Sequence, residues 1–155
     1  MTGFKFRLEK VLEMRLRKEQ EKEKELADLK MLQAREEVFL EQLKEEGKKT
    51  KESISEIQDK TESSLDLKEL ISYYEYLENI GERISVQIEQ IKLVIESIEK
   101  KRGELIEASK ERKVIEKLKD NQFKKFKQEL EQTERKFLDE IGTINHNRKR
   151  VLWKM

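Results

Sequence analysis

The chain has 155 residues, of which 45% are charged and 35% apolar, and it contains no Pro and no Cys. So little apolar material cannot fill a rounded core of this size, although it suffices for one stripe along a helix. The 35 basic and 34 acidic residues nearly cancel, which argues against a duplex nucleic-acid binder. The lack of Cys removes disulfides, thiolate nucleophiles and thiolate zinc sites, and it fits a reducing compartment.

The first predicted element is a helix over about residues 4–60. Lys, Glu, Leu and Gln favour helix, and no Pro interrupts it. We use the word seam for the positions, spaced alternately by three and four residues, that are expected to face the partner helix. Nearly half of these positions are polar in the first helix, so we expect it to depend on a neighbour for stability. The seam consists of Leu8, Leu12, Arg15, Glu19, Lys22, Leu26, Leu29, Gln33, Glu36, Leu40, Leu43, Gly47, Thr50, Ile54 and Ile57.

The helical pattern breaks at about residues 61–65. Thr and Ser side chains cluster there, and they compete with helix for backbone hydrogen bonds. Asp66 followed by Glu69 predicts an N-cap with its capping-box partner. A parallel second helix would need a connection that runs back along the whole first helix, and this connection is too short for that. We therefore predict that the second helix runs antiparallel to the first.

The second predicted helix, over about residues 66–148, carries the clearest heptad stripe, a period that a disordered segment has no reason to keep. The predicted fold is therefore all-α, with one domain over residues 1–155: a long two-helix antiparallel coiled-coil hairpin whose second helix is longer. The predicted seam consists of Leu67, Leu70, Tyr74, Leu77, Gly81, Ile84, Ile88, Ile91, Ile95, Ile98, Arg102 and Leu105.

The second helix is expected to extend beyond the start of the first. If Leu43 meets Ile84, then Leu8 lies near Lys119, and the seam beyond has no partner in the chain. An apolar stripe is costly to leave in water, so we expect it to bind another protein or to self-associate. This stripe consists of Phe123, Phe126, Leu130, Thr133, Phe137, Glu140 and Ile144.

The seam is irregular between residues 109 and 119. The residues that continue the three-and-four spacing of the seam through this stretch are polar, while Val114, Ile115 and Leu118 lie on a neighbouring face. Two interpretations stay open: a stutter that remains inside the helix pair, or a patch turned toward another protein. The polar positions are Ser109, Arg112, Glu116 and Lys119.

Four stretches resemble the FliJ family, the stalk proteins of the flagellar type III export apparatus. They are FKFRLEKVL at residues 4–12, LISYYEYL at 70–77, ASKERKVIEKLK at 108–119 and LDEI at 138–141. The resemblance implies a hairpin similar to the central stalk of rotary ATPases. It also implies a role in flagellar protein export, in which the open end enters the ring of the export ATPase FliI and the distal part contacts the export gate FlhA.

The resemblance and the unpartnered stripe together suggest site residues. We expect the ATPase contact at Phe4, Leu8, Leu12, Arg112, Leu118, Phe123, Phe126, Leu130, Phe137, Asp139 and Glu140. The gate contact is expected at Gln42, Tyr73, Tyr76, Leu77 and Ile80, with Tyr73, Tyr76 and Ile80 lying beside the seam rather than on it.

We do not expect an enzyme, because a two-helix rod offers no pocket and His146 has no companions for a metal site or proton relay. No cofactor and no nucleic acid are expected. No apolar run reaches the length of a membrane span, so we expect a cytoplasmic protein that meets the membrane only indirectly, through the export gate. Two alternatives stay open: an escort that binds and recycles export chaperones or substrates, and a generic dimeric coiled coil.

Overall fold

The computed structural model describes residues 3–59 and 67–155, and this part of the chain contains two helices and no strand. Helix α1 spans Glu9–Asp59 and helix α2 spans Leu67–Trp153. The two pack against each other, which confirms the all-α prediction and the longer second helix. The turn predicted at residues 61–65 and the Asp66 cap lie outside the described residues.

Both helix boundaries near the chain ends differ from the prediction. Helix α1 begins at Glu9 rather than near residue 4, and α2 continues to Trp153 rather than ending near residue 148. The amide of Glu9 donates to the carbonyl of Phe6 at 3.2 Å, and that of Leu12 donates to the carbonyl of Leu8 at 2.9 Å. The carboxylate of Glu9 lies in the first turn, where the helix dipole favours negative charge.

The chain divides into two compact units, which we call the terminal unit (Met1–Glu19 and Ala108–Met155) and the central unit (Gln20–Glu107). In the central unit, Leu26 of α1 forms a buried cluster with Val94 and Ile98 of α2. The helices run antiparallel there, because Lys22 pairs with Glu104, whereas the later Glu36 accepts a hydrogen bond from the earlier Gln87.

The seam predicted for α1 is confirmed, since every one of its positions is buried or half-buried. Leu12, Leu26, Leu43 and Ile54 bury almost all of their surface. Four polar seam positions, Arg15, Glu19, Lys22 and Glu36, have partners on α2, and the ammonium of Lys22 lies 3.1 Å from the Glu104 carboxylate. Paired charges can therefore occupy a coiled-coil seam that has too few apolar residues.

The seam predicted for α2 is wrong at every second position. Leu70, Leu77, Ile84, Ile91, Ile98 and Leu105 face inward as expected. Between them the inward residues lie one position earlier than predicted: Tyr73, Ile80, Gln87, Val94 and Lys101. The predicted residues Leu67, Tyr74, Gly81, Ile88, Ile95 and Arg102 are exposed.

The residues of α1 explain this choice of face. A Cβ atom added to Gly47 would lie 3.5 Å from Cγ2 of Ile80, which is an ordinary contact, so a methyl group fits there but a larger side chain would compete for the space of Ile80, which is only 1% exposed. Gln87 is held by its side-chain amide, which donates to the carbonyl of Glu36 at 3.0 Å. A buried polar group needs such a partner, and Ile88 has no comparable role on the seam.

In the terminal unit, the irregular stretch at residues 109–119 has some side chains between the helices and others facing outward. Ile115 is half-buried between the helices and so belongs to the seam, as do the four polar positions predicted there. Val114 is 66% exposed and Leu118 is 38% exposed. Ile115 therefore stays inside the helix pair without a stutter, because Ala108, Arg112, Ile115 and Lys119 keep the regular spacing of four and three residues. The outward patch consists of Val114 and Leu118.

Candidate functional site

The segment before α1 covers part of the stripe that was expected to have no partner. The ring of Phe4 packs edge-on against Phe123, with centroids 5.2 Å apart, and lies 5.6 Å from Phe126. The expectation that the unpartnered stripe begins at Phe123 is therefore wrong. In a helix, residues two apart point about 200° away from each other, whereas in extended chain they share a side. Because α1 starts only at Glu9, both Phe4 and Phe6 can reach α2.

Lys119 is the polar centre of this arrangement. Its ammonium lies 5.9 Å from the centroid of the buried Phe6 ring and 2.8 Å from the carboxylate of Glu9. A cation over an aromatic face and a salt bridge act here on one side chain. We call this group the aromatic clasp and define it as Phe4, Phe6, Glu9, Lys119, Phe123 and Phe126. It holds the segment preceding α1 against α2.

Ion pairs join the helices next to the clasp. The guanidinium of Arg15 lies 2.5 Å from the carboxylate of Glu111, which Lys18 also approaches at 3.4 Å. Arg112 pairs with Glu19 across the helices and with Glu116 on its own helix. The hydrogen bond to Glu19, and after it the one to Glu116, raises the pKa of Arg112.

These contacts change the interpretation of the ERK run at residues 111–113. The side chain of Arg112 is only 18% exposed, and its guanidinium is paired with Glu19 across the helices. Leu12, also expected at the ATPase contact, is buried, and Leu8 is half-buried. The outward face of this stretch is formed instead by Lys113, Val114, Lys117 and Leu118.

Beyond the clasp, α2 continues with every residue from 127 to 155 exposed. Leu130, Phe137, Ile141 and Ile144, which we call the apolar stripe, are between 39% and 62% exposed. Their spacing of seven, four and three residues places them on one face of a helix. The predicted stripe contained Glu140 in place of Ile141. The sequence could have identified Ile141, because it follows Phe137 by four residues and precedes Ile144 by three. Asp139 and Glu140, expected at the ATPase contact, are both exposed, Glu140 beside the stripe and Asp139 on the opposite face of the helix.

In the central unit, the residues expected at the gate are divided between core and surface. Ile80 is fully buried, and Tyr73 and Leu77 are half-buried on the seam, so the expectation that Tyr73 and Ile80 lie beside the seam is wrong. Tyr76 is 45% exposed as expected, and its hydroxyl donates to Glu46 at 3.2 Å. Gln42 is exposed on α1.

Two exposed features of the central unit were not predicted as contacts. Tyr74, which was placed on the seam, is 48% exposed, and its hydroxyl accepts a hydrogen bond from Gln58 at 3.2 Å. On α1, the neighbouring Val38 and Phe39 are 58% and 41% exposed. The shifted seam of α2 turns Tyr74 outward, and this shift could not be read from the spacing of apolar residues alone.

A charge cluster also lies across the helices of the central unit. Lys101 lies 2.6 Å from Glu25 and 3.0 Å from Glu104, and Lys22 lies 3.1 Å from Glu104. The hydrogen bond from Lys101 is the main reason why the pKa of each of these two carboxyl groups is lowered. The same two carboxylates raise the pKa of Lys101. This cluster links the helices where the seam lacks an apolar residue.

The described residues offer exposed apolar surfaces that suit contact with another protein. Within residues 3–59 and 67–155, no group of three His, Cys, Asp or Glu side chains could hold a metal ion. No helix in the same part of the chain is long and apolar enough to cross a membrane. The apolar stripe and the outward aromatic side chains are suited to binding the surface of another protein.

Comparison with known proteins gave one match. The family model described as flagellar FliJ protein matches residues 4–151, which is nearly the whole chain. A search of curated proteins returned no match, and neither did a search of solved structures.

Proposed function

The chain belongs to the flagellar FliJ family and is a component of flagellar protein export, and on this basis we propose that it acts as a stalk between the export ATPase and the export gate. In this proposal the terminal unit binds the ring of FliI and promotes its assembly and activity, while the central unit contacts FlhA. The family is not known for enzymes, so nucleotide hydrolysis belongs to the ATPase. Association with the membrane at the flagellar base follows from the gate contact.

The apolar stripe is the observation that carries the ATPase proposal. Leu130, Phe137, Ile141 and Ile144 are roughly half exposed on a helix that extends past the last residue of the clasp. Burying a side chain of this kind fully stabilises by about 1.5–3 kcal/mol. Since each is already half covered, covering the rest of all four offers roughly 4 kcal/mol. Such a stripe is a suitable anchor for a protein interface.

A single helix inside a ring can influence the ring because it has no rotational symmetry. Whatever its orientation, it contacts the identical subunits unequally and favours different conformations in each. A ligand shifts such an equilibrium only by its differential affinity for the two states. The contact energy of the stripe is therefore available to stabilise the assembled ring and to distinguish its nucleotide states.

The test replaces two stripe residues by charged ones. We expect a Leu130→Asp, Phe137→Asp variant to lose at least about 30-fold in affinity for FliI, because about 2 kcal/mol of apolar burial is removed. The matched control is Val86→Asp with Leu93→Asp, which has the same spacing on the same helix. Both control residues are exposed, at 69% and 58%.

Binding is measured by pull-down, and the ATPase rate of FliI is measured with each variant. Far-UV circular dichroism establishes that all the proteins remain helical. If the stripe variant binds and activates FliI as well as the control does, the ATPase contact does not lie on the stripe. Failure of the unmodified chain to raise the ATPase rate of its own ring counts against the stalk proposal itself.

For the gate, the outward aromatic residues of the central unit supply the contact in this proposal. Tyr74 and Tyr76 are exposed on α2, and Gln42 is exposed on α1. We expect Tyr74→Ala with Tyr76→Ala to weaken binding to FlhA while leaving binding to FliI unchanged. The comparison variant is Val86→Ala with Leu93→Ala. Equal loss in both variants would contradict a specific contact through the tyrosines.

A second candidate function rests on the exposed pair Val38 and Phe39. An escort that binds export chaperones needs an apolar contact on the helix pair, and these two side chains offer one. In that case, Val38→Ser with Phe39→Ser abolishes chaperone binding, whereas the stripe variant retains it. The dimeric coiled-coil alternative predicts twice the monomer mass by light scattering, together with loss of the dimer in the stripe variant.

A further inference from the structure

Charge is distributed unevenly along the exposed part of α2. Residues 141–155 contain Arg148, Lys149, Arg150 and Lys154 and no acidic residue, although the chain as a whole is balanced. The stretch just before, residues 128–140, has the opposite character: it contains five acidic residues and only two basic ones. The cations are therefore concentrated in one segment, which we call the basic segment (residues 141–155).

Exposed apolar side chains accompany these cations in the same segment. Val151 is 61% exposed, Leu152 is 72% exposed and Trp153 is 91% exposed. Along the helix, Ile144, Val151 and Leu152 fall within an arc of about 100°. Arg148 lies in the same arc, but its long stem allows the guanidinium to reach out past an apolar surface. Lys149 lies about 60° beyond one edge of this arc and Arg150 about 100° beyond the other. Trp153 lies about 100° from Leu152, in the last turn of α2.

This combination fits a bilayer of anionic phospholipid. A helix that lies at a membrane interface needs an apolar face for the boundary of headgroups and acyl chains, with cations around it for the phosphates. Trp favours this depth because its ring is apolar and its indole N–H is polar. A protein partner presents both signs of charge, whereas an anionic bilayer presents one sign continuously. A segment with no acidic side chain matches the bilayer.

We propose that the basic segment binds directly to the surface of anionic phospholipid bilayers. Ile144, Val151 and Leu152 enter the headgroup boundary, while Arg148, Lys149 and Arg150 contact the lipid phosphates. This contact needs neither the export gate nor the ATPase, so it goes beyond the sequence-based expectation of an indirect membrane association. Ile144 belongs both to this face and to the apolar stripe, so it cannot contact the bilayer and FliI at the same time. The experiment below uses neither FliI nor FlhA, so its outcome is separate from that of the proposed stalk function.

The experiment uses the full chain and two kinds of vesicle. One contains equal parts of phosphatidylglycerol and phosphatidylcholine, and the other contains phosphatidylcholine alone. Trp153 is the single Trp of the chain, so its fluorescence reports on this segment without a label. We expect the chain to sediment with the anionic vesicles with a blue shift of its emission, and both effects to weaken as salt is raised above about 0.1 M.

Two variants separate the basic segment from general electrostatic attraction. Arg148→Gln, Lys149→Gln, Arg150→Gln should lower the vesicle affinity about 100-fold, since each cation near the surface contributes about fivefold. The control Lys48→Gln, Lys49→Gln, Lys51→Gln makes the same change of charge at exposed lysines of α1 and should stay near the unmodified affinity. Val151→Ser with Leu152→Ser should reduce both the binding and the blue shift.

Three results would overturn the proposal. They are no binding to anionic vesicles, equal binding to both kinds of vesicle, and equal loss in the two triple variants. A blue shift that grows with protein concentration in the absence of vesicles would instead assign the segment to self-association. If the chain does not bind vesicles, the basic segment would instead be assigned to binding an acidic groove on another protein. Circular dichroism confirms that each variant remains helical.

Discussion

The seam of α2 supports a quantitative test in which one substitution is made at two neighbouring sites. Ile80→Ala removes a side chain that is 1% exposed, whereas Ile88→Ala removes one that is 38% exposed. Both lie on α2, so the gain in helix propensity from Ile to Ala is common to both and cancels in the comparison. The two variants therefore report how much each side chain contributes to packing.

The expected magnitudes follow from burial. Truncation of a buried Ile to Ala costs about 2–5 kcal/mol, depending on how far the surroundings collapse into the space. Ile80 packs on Gly47, which has no side chain to fill the gap, but a pair of helices can move closer together. We therefore expect about 2–3 kcal/mol for Ile80→Ala and about 1 kcal/mol or less for Ile88→Ala.

Urea unfolding followed by far-UV circular dichroism measures both free energies of unfolding. The slope of the unfolding free energy against urea concentration should be the same in both variants. An unchanged slope would show that the substitutions change stability and not the compactness of the unfolded chain. The heptad series that places Ile88 on the seam predicts the opposite order. If Ile88→Ala costs as much as Ile80→Ala or more, then the packing of α2 described above is incorrect.

Three further predictions concern other contacts. Gly47→Ala should stabilise the protein by about 0.5–1 kcal/mol in the same assay, since its Cβ meets only an ordinary contact and Ala favours helix; destabilisation would show that the helices cannot accept even a methyl group there. Phe4→Ala should increase proteolysis of the segment before α1, since it removes the ring contacts to two phenylalanines of α2; unchanged cleavage would refute the clasp. Because Lys101 holds the pKa of Glu25 and Glu104 below 4.5, their contribution is complete above that pH and is lost as the pH falls through the lowered values. The melting temperature should therefore fall as the pH is lowered below about 4.5, and Glu25→Gln with Glu104→Gln should reduce that fall; an equal fall in the variant would assign the acid sensitivity elsewhere.

The exposed stripe of α2 was partly predictable. Leu130, Phe137 and Ile144 recur every seven residues, so their common face follows from the sequence. The covering of Phe123 and Phe126 by Phe4 does not, because FKF at residues 4–6 is compatible both with a first helical turn and with an extended segment. The role of Arg112 could not be predicted either, because its ion pair with Glu19 depends on how the two helices lie against each other.

The sequence by itself determined that the chain is helical and which face of α1 is inward, because the Leu and Ile residues of that helix recur mainly along one face. It did not determine the inward face of α2, where Ile88 and Ile95 stand next to Gln87 and Val94 and offer a second apolar face about 100° away. Periodicity cannot choose between adjacent faces that are both apolar. The choice depends on the shape and polarity of the opposing helix, where Gly47 makes room for Ile80 and Glu36 accepts the amide of Gln87.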